Sequence, residues 1–179
     1  MVSRQDSVKG AIKIMDDLYK LVEEHAPSAR VTFGDLKAQP GSHNTVPKTV
    51  SIAIDLRHPN EVQLNDMDQQ LRSIVKHVCE QEKLAFEIET IWHFKAIEFS
   101  KRCITAVEHS VKQLGYSHMD IVSGAGHDSG YLSQVTPTSM IFIPCKDGIS
   151  HNEAESAKPE DITAGCNVLL HAMLSVANA

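Results

Sequence analysis

The sequence predicts a mixed α/β protein built in two parts, with an α-β-β-α-β order over residues 1–98 and, in residues 99–179, a helix followed by a β-α-β-α order. Apolar residues recur every three or four positions in some segments and every second position in others, and turns rich in glycine, proline and asparagine separate these segments. The length of 179 residues, with 42% hydrophobic and 22% charged residues, is typical of one globular domain or of parts of two.

The first helix is predicted over residues 6–25, where apolar residues have helical spacing. These residues are Val8, Ala11, Ile12, Met15, Leu18, Tyr19 and Val22. Two strands follow, over residues 31–38 and 48–57. In the second strand every other residue is apolar, which places Arg57 on the polar face.

A second helix capped by Asn65 or Asp66 and a strand over residues 85–94 complete the first part. The resulting order is one strand short of the split βαββαβ (ferredoxin-like) sandwich, and residues 1–5 are too few to supply that strand. We therefore expect the chain to begin inside such a domain, with an uncovered position in its sheet.

The second part begins with a helix that Ser100 caps and Gly115 ends. A short strand at residues 120–122, a short helix and a strand at residues 139–145 follow, which is a β-α-β pattern. Pro159, at a first helical position, starts the last helix.

Charge and composition exclude several classes of function. Seventeen Lys and Arg against 23 Asp and Glu give a net charge of −6, which argues against a surface for nucleic acid or anionic lipid. The sequence contains no signal-peptide core and no apolar run near the ~20 residues of a membrane span. Its four cysteines have irregular spacings, as reduced thiols do. We expect a cytoplasmic protein with small-molecule or protein partners, and no nucleic acid or membrane partner.

The loop SGAGHDS at residues 123–129 is the first candidate site. It places His127 between the end of a predicted strand and the start of a helix, beside Gly126, where a ligand can approach the backbone closely. His127 would there donate a hydrogen bond to an oxyanion. The alternative is a tight turn in which His127 is an ordinary polar residue.

The polar loop after the last predicted strand is the second candidate site. His151 offers an imidazole to a divalent metal ion, and Glu153 or Glu155 would accept a hydrogen bond that orients it. A catalytic zinc ion needs about three protein ligands, and His127, Asp128 and His151 do not form a convincing set. We therefore expect most of any metal site to lie outside this chain. The alternative is a solvated loop.

Arg57 and Asn44 form the third candidate site. Together they would hold a carboxylate, because the guanidinium of arginine can donate two hydrogen bonds to it in a bidentate manner and the amide of asparagine can donate another. The alternative is that Arg57 pairs with Asp55. Cys145 ends an apolar strand without an activating base, so we expect a thiol there and not a nucleophile.

The runs SGAGHDS and PTSMIFIPCKDGISHNE, with NTVP and DLRH upstream, resemble the metal-dependent N-carbamoyl-amino-acid amidohydrolases. This group includes β-ureidopropionase and allantoate amidohydrolase, within the M20 metallopeptidase superfamily. The resemblance covers essentially the whole chain. It implies that residues 1–98 are the lid or dimerisation domain and residues 99–179 the C-terminal portion of the metallopeptidase-like catalytic domain.

The resemblance implies a role for each candidate residue. His151 matches the last of five ligands that hold a pair of ions such as zinc, manganese, nickel or cobalt. His127, with the backbone at Gly126, matches the group that binds the carbamoyl oxygen and stabilises the tetrahedral intermediate. Arg57 and Asn44 match the pair that binds the substrate carboxylate. A homodimer formed through the lid domain is also implied.

The family's other metal ligands, its catalytic glutamate and its lid histidine have no counterpart in this sequence. The resemblance therefore implies a portion of an enzyme that is inactive alone and does not bind the metal pair tightly. Its substrate would be N-carbamoyl-β-alanine or an N-carbamoyl-L-amino acid, with allantoate as an alternative. Two further hypotheses are a non-catalytic dimerisation or regulatory module, and one chain of a split enzyme.

Overall fold

The structure, a computed structural model, describes residues 4–178 as two compact units that divide between Ala96 and Ile97. The first unit contains α1 (Ser7–Glu24), β1 (Arg30–Gln39), β2 (Thr49–Arg57) and α2 (Glu61–Glu82). The second contains α3 (Lys101–Leu114), α4 (Asp128–Leu132), a 3-10 turn (Lys146–Gly148) and α5 (Pro159–Ala177). The chain is thus mixed α/β, as predicted.

Strands β1 and β2 form an antiparallel hairpin. Arg30 lies opposite Arg57 at one end, and Gln39 lies opposite Thr49 at the end where the connecting turn closes. Gly34 adds one residue to β1, which shifts the register there. The predicted alternation of β2 is confirmed, because Arg57 is exposed while four apolar residues are half-buried: Val50, Ile52, Ile54 and Leu56.

Helices α1 and α2 pack together and against this hairpin. Their shared core is apolar throughout and consists of Ile14, Leu18, Leu21, Ala29, Met67, Leu71, Val75, Val78 and Cys79. Gly10 lets the chain after α2 lie close to α1, since a Cβ at Gly10 would be 2.5 Å from Cδ1 of Leu84. The first unit therefore has its own hydrophobic core, which holds the hairpin in place.

Helix α2 begins at Glu61, so the predicted cap at Asn65 or Asp66 is wrong. The cap is Asn60, whose Oδ1 accepts hydrogen bonds from the amides of the second and third residues after it, at 2.9 and 3.1 Å. Asn60 is extended, with φ −99°, as cap residues are. The apolar residues whose spacing predicted the helix lie after its capping hydrogen bonds in the sequence, so the predicted start was too late.

The substitution Asn60→Ala is expected to lower the free energy of unfolding by about 1 kcal/mol, because two amide groups lose their acceptor. Asn65→Ala is the matched control: Asn65 is exposed within the helix, where alanine is the better helix former. Urea unfolding followed by circular dichroism measures both. Equal losses in the two variants would contradict the assignment of the cap.

Two ion pairs join α1 to the end of α2. The carboxylate of Glu82, whose side chain is 9% exposed, accepts from Nζ of Lys9 at 2.7 Å and from Nζ of Lys13 at 2.6 Å. The hydrogen bonds from Lys13 and Lys9 lower the pKa of Glu82 below its ordinary value of 4.5. The ionised carboxylate is therefore the form that the folded chain favours.

Because the pKa of Glu82 is lower in the folded than in the unfolded chain, its ion pairs stabilise the fold above pH 4.5. This contribution is lost as the pH falls through the folded value. Glu82→Gln is thus expected to lower the urea midpoint of unfolding at neutral pH. At acidic pH its midpoint should be closer to that of the wild type. Glu80→Gln, at an exposed position of α2, is the control. A deficit that persists at low pH would contradict the linkage.

In the second unit, α3 packs against α5 through Ala106, Ser110, Val111, Val168 and Ala172. Helix α3 ends at Gly115, whose φ of 72° suits glycine, and α5 begins with proline; both were predicted. Gly165 allows α5 to lie against Ile143, since a Cβ at Gly165 would be 2.6 Å from Cγ2 of Ile143. This packing places the loop after Ile143 beside α5.

Three predicted strands, over residues 85–94, 120–122 and 139–145, are not formed within residues 4–178. Alternation does persist in the last of them, where Ile141, Ile143 and Cys145 are half-buried and the residues between them are exposed. A strand also needs a neighbour for its backbone hydrogen bonds, and no other described segment pairs with these three. The alternating pattern predicts which side chains turn inward, but it cannot supply that neighbour.

Two expectations concern the thiols and the helices. All four cysteines are free: Cys79, Cys103, Cys145 and Cys166. Among the helices of residues 4–178, none combines the length and the apolar character required to cross a bilayer. None of the four cysteines is joined to another, and their reduced state stays a prediction.

Candidate functional site

His127 lies immediately before α4, in the cap position, and is half-buried. Its Nε2 is 2.7 Å from Oγ of Ser123, and that hydroxyl also accepts a hydrogen bond from the amide of Ala125 at 3.2 Å. The imidazole packs edge-on against Phe142, with 5.6 Å between ring centroids. A hydrogen bond and a ring contact from two separate segments thus hold the imidazole.

The backbone next to His127 is open to a ligand. A Cβ at Gly126 would meet no atom within 4 Å, and the residue is exposed. If Ser123 donates its proton to Nε2, the neutral ring of His127 carries its own proton on Nδ1. In that tautomer the Nδ1–H is the one remaining donor of the ring, and a ring N–H is the kind of group that stabilises an anionic oxygen.

His151 lies in an exposed loop and has a left-handed backbone, with φ 57°. Its main-chain N–H donates to Oε2 of Glu155 at 2.9 Å. The other carboxylate oxygen, Oε1, lies 3.8 Å from Sγ of Cys145. Of the two predicted acceptors, Glu153 and Glu155, it is Glu155 that binds the backbone N–H of His151. A hydrogen bond from the ring of His151 to either carboxylate stays a prediction.

The donor chemistry of the loop suits a metal ion only in part. An exposed imidazole such as that of His151 is a ligand for zinc, manganese, nickel or cobalt. Within residues 4–178, however, no three His, Cys, Asp or Glu residues are grouped so that they could hold a metal ion. His151 therefore fits as one ligand of a site that the described residues do not complete.

Arg57 is engaged by Asp55, which was the alternative raised from the sequence. The guanidinium donates from Nε to Oδ1 at 3.0 Å and from a terminal nitrogen to Oδ2 at 2.6 Å. The pair is exposed at the end of β2, and the hydrogen bonds that Arg57 donates to Asp55 raise the pKa of Arg57. A carboxylate ligand of Arg57 must therefore share the guanidinium with Asp55 or displace it.

The structure does not bring Asn44 and Arg57 together within one chain. Asn44 lies in the turn that precedes β2, and β2 begins at Thr49. Arg57 is the last residue of β2, eight residues after Thr49 and therefore roughly 26 Å from it along the strand. Helix α1, roughly 27 Å long, spans the same distance.

Contacts at both ends of α1 support this separation. At its start, Ser7 Oγ donates to the carbonyl of Pro47 in the turn at 2.9 Å. At its end, the rings of His25 and His58 are 6.3 Å apart, next to Arg57. One carboxylate cannot contact Asn44 and Arg57 of the same chain.

Sequence reasoning missed two contacts of the candidate residues. Ser123 was noted only as the start of the glycine-rich loop, although its hydroxyl, four residues before His127, was the available signal. Phe142 was assigned to a strand, and nothing local in the sequence connects it to His127. The first contact is local and was accessible to pattern reasoning, while the second arises from packing.

A profile of peptidase family M20/M25/M40 matches residues 5–175. The chain belongs to this family. The N-carbamoyl-L-amino-acid amidohydrolase of Rhizobium meliloti is 36% identical over 165 residues, which is 92% of this chain and 40% of that protein. The enzyme of the same name from Paenarthrobacter aurescens is 32% identical, over 95% of this chain and 41% of its own. The allantoate amidohydrolase of Escherichia coli is 28% identical, over 93% of this chain and 40% of that protein.

Solved structures give the same result for the M20 fold. Hydantoinase/carbamoylase family amidases from Burkholderia vietnamiensis and Burkholderia multivorans each superpose with a TM-score of 0.90 at 46% identity. The superposition with the Burkholderia vietnamiensis amidase covers 96% of this chain and 42% of the amidase chain. With the Burkholderia multivorans amidase it covers 98% and 43%, respectively. The chain thus spans about 40% of the length of these M20 relatives, in a family whose members in general depend on two metal ions.

Proposed function

We propose that this chain is part of a metal-dependent M20 amidohydrolase that hydrolyses the carbamoyl C–N bond of an N-carbamoyl-amino acid. The substrate is an N-carbamoyl-L-amino acid or N-carbamoyl-β-alanine. The observation that carries the proposal is the similarity, over 92% of the chain, to the N-carbamoyl-L-amino-acid amidohydrolase of Rhizobium meliloti. The open backbone at Gly126 beside the oriented imidazole of His127 supports it.

In the proposed reaction, water adds to the carbamoyl carbon and the bond from that carbon to the amino-acid nitrogen breaks. The amino acid leaves with a proton, and the carbamate that remains decomposes to carbon dioxide and ammonia. Zinc, manganese, nickel or cobalt ions, with His151 as one ligand, would supply the activated water. His127 and the backbone at Gly126 would stabilise the negative charge that develops on the carbamoyl oxygen.

The other end of the substrate, its carboxylate, would bind to Arg57 and Asn44. Because these residues lie at opposite ends of the hairpin, we place them in one site only if two chains contribute, Arg57 from one and Asn44 from its partner. A homodimer formed through the lid, residues 1–98, would meet this requirement. Residues 99–179 would then belong to the catalytic domain.

The experiment uses a chimera in which the matching 40% of the Rhizobium meliloti enzyme is replaced by this chain. With added Mn2+ or Zn2+ the chimera is expected to hydrolyse N-carbamoyl-L-amino acids, and the chain alone is not. His151→Gln should abolish turnover, whereas His118→Gln, at an exposed histidine of the same unit, should not. A folded chimera without activity, or one that His151→Gln leaves active, would contradict the proposal.

Allantoate is a second candidate substrate. It is favoured by the similarity to the allantoate amidohydrolase of Escherichia coli, 28% identical over 93% of this chain. The same chimera, assayed with N-carbamoyl-β-alanine, N-carbamoyl-L-amino acids and allantoate, compares the candidates through kcat/KM. A non-catalytic dimerisation module would instead dimerise in size-exclusion chromatography and restore none of these activities.

A further inference from the structure

The loop that carries His151 contains three residues with a left-handed backbone. Asp147 and His151 both have φ near 57°; Asp and His adopt this region more readily than most residues, but it is still less favourable for a residue with a side chain than for glycine. Only Gly148, with φ 66°, is suited to this conformation. Surrounding contacts must therefore keep His151 in this state.

Glu155 makes the contact nearest to the strained position. Its Oε2 accepts from the amide of His151 at 2.9 Å, a charge-assisted hydrogen bond across four residues. The ends of the loop are joined by the amide of Lys146, which donates to the carbonyl of Ser156 at 2.7 Å. The carboxylate thus spans the inside of a closed loop and binds the strained residue directly.

Glu155 has further contacts within the loop. The thiol of Cys145 lies 3.8 Å from Oε1, which leaves Oε2 for His151. The main chain of Glu155 donates to the carbonyl of Asn152 at 3.0 Å, and the side chain of Asn152 accepts from Ala154 at 2.9 Å. The main chain of Glu155 and both oxygens of its carboxylate therefore have contacts within the loop.

We propose that Glu155 is a positioning residue, which holds His151 in its left-handed backbone so that the imidazole stands in the direction a metal ion requires. Cys145 contacts Oε1 of the carboxylate, while Oε2 accepts from His151. The inference rests on the proposed role of His151 as a metal ligand. Residues that orient a ligand commonly change metal affinity about 10- to 100-fold when replaced.

The first measurement needs no metal. Amide hydrogen exchange of His151 in the full chain, followed by NMR, is expected to become about tenfold faster in Glu155→Ala, because the amide loses its acceptor. Glu155→Gln keeps a side-chain oxygen that can accept from the same amide. The exchange rate of the His151 amide in this variant should therefore lie between those of the wild type and the alanine variant. Glu153→Ala, an exposed neighbour in the same loop, is the control. Unchanged exchange at Val168 in α5 would show that the unit is still folded.

The second measurement adds ZnCl2 alone and follows the ring resonances of His151, identified by comparison with His151→Gln. The zinc concentration at the midpoint is expected to rise about tenfold in Glu155→Ala, less in Glu155→Gln, and not in Glu153→Ala. Equal exchange rates, or equal zinc midpoints, in wild type and Glu155→Ala would overturn the inference. A wild-type His151 ring that does not respond to zinc would instead contradict the metal role itself, which the exchange data do not test.

Discussion

Co-expression of chimeras carrying Asn44→Ala and Arg57→Ala is expected to restore about a quarter of the wild-type turnover, although each variant alone is inactive. The two residues lie at opposite ends of the β1–β2 hairpin, so each proposed site takes one of them from each chain. A mixed dimer then has one site with both residues intact and one with neither. Random pairing makes half of the dimers mixed, and half of the sites in those dimers are intact.

The measurement is the hydrolysis of N-carbamoyl-L-amino acid per active-site equivalent, after co-expression and purification through one tag that both variants carry, so that all dimers are recovered. Co-expression of Asn44→Ala with the double variant is the control, because no combination of these chains contains a complete site. Turnover that stays at the level of the single variants would contradict the two-chain site. Single variants that remain active would show that the carboxylate is bound elsewhere.

His127→Ala is expected to lower kcat of the chimera by about 100- to 1,000-fold with a smaller change in KM, because an oxyanion donor acts mainly in the transition state. Steady-state kinetics on N-carbamoyl-L-amino acids measures this. Ser123→Ala should cause a smaller loss, since it removes the hydrogen bond at Nε2 and leaves the imidazole in place.

His118→Ala provides the matched histidine control, in the same unit but at an exposed position. It should leave both kinetic constants unchanged. An effect of His127→Ala on KM alone would assign His127 to ground-state binding and contradict the oxyanion role. A loss in Ser123→Ala as large as that in His127→Ala would mean that the hydroxyl itself contacts the reacting group.

Much of the fold could be predicted from local patterns. The spacing of Leu18 and its neighbours located α1, the alternation around Ile54 located β2, and Gly115 and Pro159 marked helix boundaries, because each of these signals acts within one element. The start of α2 was missed, since the capping hydrogen bonds of Asn60 precede the apolar pattern. The strands predicted around Ile88 and Ile143 required a partner that no local pattern reveals.

For the candidate site, too, local sequence patterns predicted some features and could not predict others. The motifs around His127 and His151 could be located from the sequence, because glycines and polar residues cluster there. The choice of Glu155 over Glu153, as the residue that binds the backbone N–H of His151, depended on the turn between them. The distance between Asn44 and Arg57 followed from the length of a hairpin, although the two residues are only thirteen positions apart in the sequence.

The ion pair between Asp55 and Arg57 also bears on how tightly the proposed enzyme would hold its ligands. Asp55 is an internal competitor, since it occupies the guanidinium in the way a substrate carboxylate would. In the proposed enzyme it would keep Arg57 oriented between turnovers and make chloride or phosphate a poor substitute, because a stray anion would have to displace a tethered one. The same competition would weaken the binding of substrate and product alike, and would favour rapid release of the amino acid over tight capture.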